Sequence, residues 1–116
     1  MSQFQSSNSG APVLTAYAKT VKNCRSLLEA GHYDSAVGLL LNALKQAPQD
    51  TQVQRMLGHA LMMIDESKGA IHHLTFATKL DPKNPELLCE LASALRRVDE
   101  LGKAHKAVDE AMKLAP

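Results

Sequence analysis

The sequence repeats at a spacing of 34 residues, without insertion, over most of its length. Gln54, Leu57, Gly58 and Leu61 stand three and four positions apart, which lays them along one face of a helix. Ala70, Leu74 and Ala77 make a second such face, and Asp81-Pro82 ends it because proline supplies no N–H to a further turn. Moving forward by 34 puts Leu88, Leu91, Ala92 and Leu95 on the first face, Ala104, Val108 and Ala111 on the second, and Pro116 at the stop. Moving back gives Thr20, Asn23, Cys24 and Leu27, then Ala36, Leu40 and Ala43, with Pro48 closing the unit. Each unit is therefore a helical hairpin. One hairpin buries too little to fold alone, so neighbouring units must stack, with Gly58, Ala70 and Ala77 allowing close helix approach.

Leu57-Gly58, Leu61, Ala70, Ala77 and Pro82 resemble the tetratricopeptide repeat (TPR), a helix-turn-helix family with this period. The second and third units carry the pattern most fully. In the first, Thr20 and Asn23 replace large side chains, whereas Tyr33, Ala36, Ala43 and Pro48 fit. The resemblance covers 17–116 and implies an all-α, right-handed superhelical solenoid. Its TPR domain would span 12–116, as three hairpins at 17–50, 51–84 and 85–116. Residues 1–11, rich in Ser, Gln and Asn, read as a flexible tail.

Local signals agree with this division. Pro12 can open a first helix longer than its counterparts, running to Ala30-Gly31. Asp50 and Asn84 offer side-chain oxygens to the first turns of the helices after them, and Pro85 suits a first helical position. Leu39, Leu40 and Leu41 exceed the needs of one stripe and predict contacts on two sides.

At 116 residues the chain has room for one domain, and 13 basic against 12 acidic side chains give no general attraction to nucleic acid or anionic membrane. There is no apolar run long enough to span a bilayer and no signal-peptide pattern, so a cytoplasmic chain is expected. Cys24 and Cys89 are separated by a whole hairpin. With packed helices roughly 8–10 Å apart, they exceed the roughly 7 Å Cα separation a disulfide tolerates, and both thiols should be free.

What the resemblance implies about function concerns the first helices of the hairpins, which line a concave groove in this family. The residues facing it would be Lys22, Arg25 and Glu29, then Gln52, Arg55, Met56, His59, Met62 and Met63, then Glu86, Cys89, Glu90, Ser93, Arg96 and Arg97. Guanidinium groups pair strongly with carboxylates and methionines adapt to irregular apolar partners, so such a groove suits a peptide. Met62 and Met63 fit either groove or core. Arg25, Arg55, His59 and Met63 are expected to carry binding, with Lys68 on a second helix a bystander. Some family members hold chaperone C-termini through a clamp of Lys, Asn, Asn, Lys and Arg. The matching places here are Val21, Arg25, Met56, Glu86 and Glu90, and two carboxylates there oppose an acidic tail.

No cofactor or metal site is expected. His72 and His73 are adjacent, so they diverge by about 100° around a helix and lack the i,i+4 partner of a zinc pair, which makes them surface histidines. His59 and Cys89 fall on neighbouring first helices, but no orienting group or oxyanion donor accompanies them, and no glycine-rich phosphate loop is present. The expectation is a non-catalytic protein-interaction module. The alternative is the N-terminal docking or regulatory region of a longer enzyme, such as a sulfotransferase or glycosyltransferase. RNA binding is disfavoured by the strict period and by Glu86 and Glu90. Leu101, His105, Val108, Met112 and Leu114 leave more apolar surface on the last helix than one partner can bury. The chain is thus expected to be cut from a longer array, or to form a homodimer through residues 100–114.

Overall fold

The computed structural model describes residues 11–114, with side chains from residue 16 onward. Of the expected tail at residues 1–11, residues 1–10 lie outside the described residues, as does the stop at Pro116, and Ala11 already belongs to the first helix. Six helices follow one another: α1 (Ala11–Glu29), α2 (Tyr33–Gln46), α3 (Thr51–Met63), α4 (Ser67–Leu80), α5 (Pro85–Arg97) and α6 (Leu101–Leu114). Each packs on the next, and α1 also meets α3 as α3 meets α5, so the odd-numbered helices form one layer and the even-numbered helices another. This is an all-α solenoid of three hairpins. The 19-residue α1 is longer than α3 or α5, as its proline-led start predicted.

The period is also written in the backbone. Gly31, Asp65 and Asp99, 34 positions apart, all adopt left-handed conformations with φ of 82°, 66° and 64°. In each turn the next residue reaches back to the odd helix: His32 N to Leu27 O at 2.8 Å, Glu66 N to Leu61 O at 2.7 Å, and Glu100 N to Leu95 O at 2.9 Å. These are Schellman closures, which satisfy carbonyls that the helix end leaves open. At the other ends, Asp50 Oδ1 accepts from Val53 N at 3.2 Å, and Asn84 Oδ1 accepts from Glu86 N and Leu87 N, with Pro85 in the first turn.

The core runs through the stack. Cys24, Ala36, Leu40, Ala43, Val53, Met56, Leu57 and Ala60 join the first hairpin to α3; Ala70, Leu74, Ala77, Leu87 and Ala94 join α4 to α5; Leu88, Ala92, Leu95, Ala104, Ala107 and Ala111 close the third hairpin. Gly58 is indispensable to the central pairing, since a Cβ there would lie 2.6 Å from Leu74 Cγ. Burial also pushes the Cys24 thiol up, and both Cys24 and Cys89 are free thiols.

Three packing expectations need correction. Leu41 is 44% exposed, so the leucine run contributes Leu40 fully and Leu39 partly, and does not reach a second side through Leu41. Val108, the counterpart of Leu74, is 39% exposed, and Ala107 takes the buried place beside Ala104 and Ala111. Leu74 is covered by α5, whereas no described helix follows α6. His73 is half-buried rather than on the surface. It meets Gln54, a buried amide whose Nε2 donates to Pro48 O at 3.0 Å. A carbonyl only accepts, so the Gln54 NH₂ must face it and Oε1 must face His73 Nδ1, 2.8 Å away; Nδ1 therefore carries the proton.

Candidate concave trough

The 34-residue register sets side chains of α1, α3 and α5 level with one another. Lys22, Met56 and Glu90 form one row, Arg25, His59 and Ser93 the next, and Glu29, Met63 and Arg97 a third. Three depressions lie side by side, each crossing all three rows. The first, of about 680 Å³, is lined by Tyr17, Ala18, Val21, Lys22, Arg25, Ser26, Glu29, Asp50 and Gln52. A second of about 440 Å³ shares Arg25, Glu29 and Gln52 with it and continues over Leu28, Arg55, Met56, His59 and Glu90. The third, about 200 Å³, shares His59 and Glu90 and ends among Met62, Met63, Leu74, Ser93 and Arg97. Together they make one trough across the odd-numbered helices.

Its electrostatics differ along its length. Arg55 Nε donates to Glu90 Oε1 at 3.1 Å and Oε2 at 2.9 Å, its Nη2 donates to Oε2 at 2.6 Å, and Glu86 stands 3.8 Å from Nη1. The hydrogen bonds to Glu90 hold the Arg55 charge even more firmly than usual, against an opposing effect of burial. Arg55 is therefore engaged within the protein and does not stand as a free cation. The same pairing takes up the carboxylate of Glu90. At the α1 end, Asp50 is also committed, with Oδ2 accepting from Tyr17 Oη at 2.6 Å and Oδ1 capping α3. Burial, then this bond and the Asp50 charge, push the Tyr17 phenol far above its ordinary ionisation range. Lys22 and Arg25 make no salt bridge among the described residues. Near α5, Arg97 Nη1 donates to Met62 O at 3.1 Å.

Of the sequence-derived site residues, Lys22, Arg25, Arg55, His59, Met62, Met63, Glu90, Ser93 and Arg97 come together in the trough. Cys89 and Arg96 do not line any described depression. They occupy the register positions of Arg55 and Met62, which in the second hairpin turn towards α5. No described helix stands there beyond α5, so both lie exposed at the rim. Of the two methionines that fit either groove or core, Met63 is 48% exposed and Met62 is half-buried, whereas Met56, expected to face the groove, is buried. Tyr17, Asp50, Leu28 and Leu74 were not expected in the lining. The signal for Tyr17 was available in its position 33 residues before Asp50, a residue already marked as a cap. Among the described residues no cluster of three or more metal-ligating side chains occurs, and no helix is long and apolar enough to cross a membrane.

No family model and no curated protein matches the sequence. Solved structures do match in shape. MamA from residue 41 to its end, from Desulfovibrio magneticus RS-1, superposes with a TM-score of 0.82 at 22% identity, over 84% of this chain and 55% of that one. The chain thus spans about half the length of that neighbour. The type III secretion chaperone SycD of Yersinia enterocolitica, in complex with a peptide of the translocator YopD, gives 0.83 at 19% identity over 87% and 77% of the two chains. The second TPR of Spaghetti (RPAP3), bound to the HSP90 peptide SRMEEVD, gives 0.80 at 14% identity over 84% and 91%. The fold of this chain is that of a tetratricopeptide-repeat array.

Proposed function

We propose that this chain is a protein-interaction module whose three repeats, at 17–50, 51–84 and 85–116, present the α1–α3–α5 trough to a peptide segment of a partner protein. The observation that carries the reading is the continuity of the trough, which joins Lys22 and Arg25, without a salt bridge among the described residues, to a cleft lined by Met62 and Met63 among others. Peptides accompany two of the neighbours of this fold, SycD and the RPAP3 repeat. A cytoplasmic, non-enzymatic role fits the two free thiols and a surface whose patterned residues are spent on packing and the trough. Neither cofactor, nucleic acid nor membrane enters this reading.

A peptide array probed with the full chain provides ligands, whose affinities are then measured by fluorescence anisotropy. Arg25→Glu and Met63→Lys should weaken binding, and Lys68→Glu on α4 should leave it unchanged. Equal affinities for all three variants would remove the trough assignment.

A second contact is proposed on α6, where Leu101 is 60% and Met112 is 68% exposed on the stripe that also carries His105 and Val108. Their spacing of four, three and four matches the seam by which two helices pair, and a second copy can meet it antiparallel. Sedimentation across a concentration series should show dimers that Val108→Glu and Met112→Lys abolish. A monomer at every concentration would contradict it.

A further inference from the structure

We propose that α6 and the rim of α5 form a seat for one amphipathic helix of a partner protein, carrying large apolar residues at positions i and i+4, alanine at i+7 and a carboxylate at i+10. The seat lies off the trough and does not depend on the trough binding a peptide.

The seat is defined by what fills its two counterparts. Leu101, His105, Val108 and Met112 of α6 stand 34 residues after Ser67, Ile71, Leu74 and Thr78 of α4, which stand 34 after Tyr33, Val37, Leu40 and Leu44 of α2. On α2 and α4, over which α3 and α5 pack, none of these side chains is exposed; on α6 all four are. The neighbouring helix ends its contacts at the same edge. Arg55 and Met62 of α3 meet Glu90 and Arg97 of α5, whereas their counterparts Cys89 and Arg96 stand exposed. The α6 stripe and the α5 rim thus make one notch, continuous with the interface that stacks the hairpins.

The pattern of the incoming helix is written twice in this chain. Val53, Leu57 and Ala60 of α3 pack on α2, and Leu87, Leu91 and Ala94 of α5 pack on α4, both at i, i+4 and i+7. This is the spacing of a helix that lays one apolar face on a partner. The receiving surface persists on α6, where Ala104, Val108 and Ala111 take the places of Ala70, Leu74 and Ala77. Arg96 makes no salt bridge among the described residues. A carboxylate at the place of Arg97, the residue that reaches Met62 in the hairpin before, would come to Arg96 and gain a charge-assisted hydrogen bond.

A second copy of this chain fits the pattern poorly. On α1 the three places hold Lys19, Asn23 and Ser26, all exposed, so head-to-tail stacking brings polar groups to an apolar stripe. On α6 itself, counted from Leu101, i+4 is His105 and i+7 is Val108. The α6 pairing described above uses the same stripe, and a helix of the stated pattern displaces it.

The probe is a fluorescein-labelled peptide of residues 84–98 with Cys89→Ser, Leu95→Lys and Arg97→Glu. A hydrocarbon staple replaces Leu88 and Ala92, which belong to the opposite face of α5. Circular dichroism confirms that the peptide is helical and that each chain variant stays folded. Anisotropy with the full chain should show binding that Leu91→Glu or Ala94→Leu in the peptide weakens about tenfold or more. Met112→Lys and Arg96→Glu in the chain should weaken it as well, with Arg25→Glu and Met63→Lys without effect. Failure of the helical peptide to bind, or indifference to Leu91→Glu and Met112→Lys, overturns the inference. Loss on Met63→Lys with Met112→Lys harmless places the peptide in the trough and overturns it too. Where sedimentation shows dimers, the peptide should return the chain to a monomer carrying one peptide, and a dimer that persists with peptide bound contradicts the shared stripe. A chain that is monomeric throughout yet binds the peptide through Met112 retains this inference and drops the α6 pairing.

Discussion

Arg55 on α3 grips Glu90 on α5 with both Nε and Nη2, at 2.6 to 3.1 Å, and so ties the second and third hairpins across the concave face. The two residues stand one position off the 34-residue register, on helices that otherwise touch only lightly. The pair lies within the lining of the trough, between α3 and α5. It is about a third exposed, so its energy is modest despite the bidentate geometry. A double-mutant cycle with Arg55→Ala and Glu90→Ala should give a coupling of about 1 kcal/mol or less, shrinking in 1 M salt. No coupling at low salt would mean that the pair does not form in solution. Arg55→Glu would set three carboxylates together with Glu86 and Glu90, which is why Arg25 is the cleaner probe of binding.

Gly58 and Gly38 should respond in opposite senses to added bulk. Gly58→Leu drives a side chain into Leu74 and should cost about 1–3 kcal/mol by overpacking. A Cβ at Gly38 meets nothing within 4 Å, so Gly38→Ala should gain up to about 1 kcal/mol from helix propensity. Thermal melts of the two variants check both directions.

The Asp50 carboxylate serves two groups at once, the α3 cap and the Tyr17 hydroxyl. Asp50→Ala should therefore destabilise by at least the ~1 kcal/mol of an ordinary cap, and Tyr17→Phe by less, because the cap survives. Urea denaturation of both variants provides the comparison, and an Asp50→Ala protein as stable as the parent would contradict the assigned cap.

Acid should weaken the fold through His73. Burial first, and then the charge of His72, lower its pKa in the folded state, so the unfolded chain binds the proton more tightly. Stability due to the neutral imidazole is then complete above the unfolded value near 6.5 and is lost as pH falls through it towards the lower folded value. Denaturation between pH 7.5 and 5 should show a steeper loss for the parent than for His73→Gln. Equal slopes would contradict the buried, neutral state.

Much of this fold was readable because a stacked array writes its packing into the sequence once per repeat. Gly58, Ala70 and Leu74 announced the central pairing, and Asp50 and Asn84 announced their caps through side-chain chemistry that acts within a single turn. What escaped depended on neighbours in space. Val108 and Leu74 share a register position, but only Leu74 has a helix over it; Arg55 looked like a free cation until Glu90 was placed opposite. His73 read as a surface residue because its partner Gln54 lies on another helix, beyond the reach of local spacing.

The most direct test of the trough is a titration of ¹³C-methyl-methionine chain with an array-derived peptide, followed by NMR. Met62 and Met63 line the trough, whereas Met112 lies on the outer face of α6. The methyl signals of Met62 and Met63 should shift in proportion to occupancy while that of Met112 stays in place. Shifts at Met112 with Met62 and Met63 unmoved would contradict the account and move the binding surface to α6.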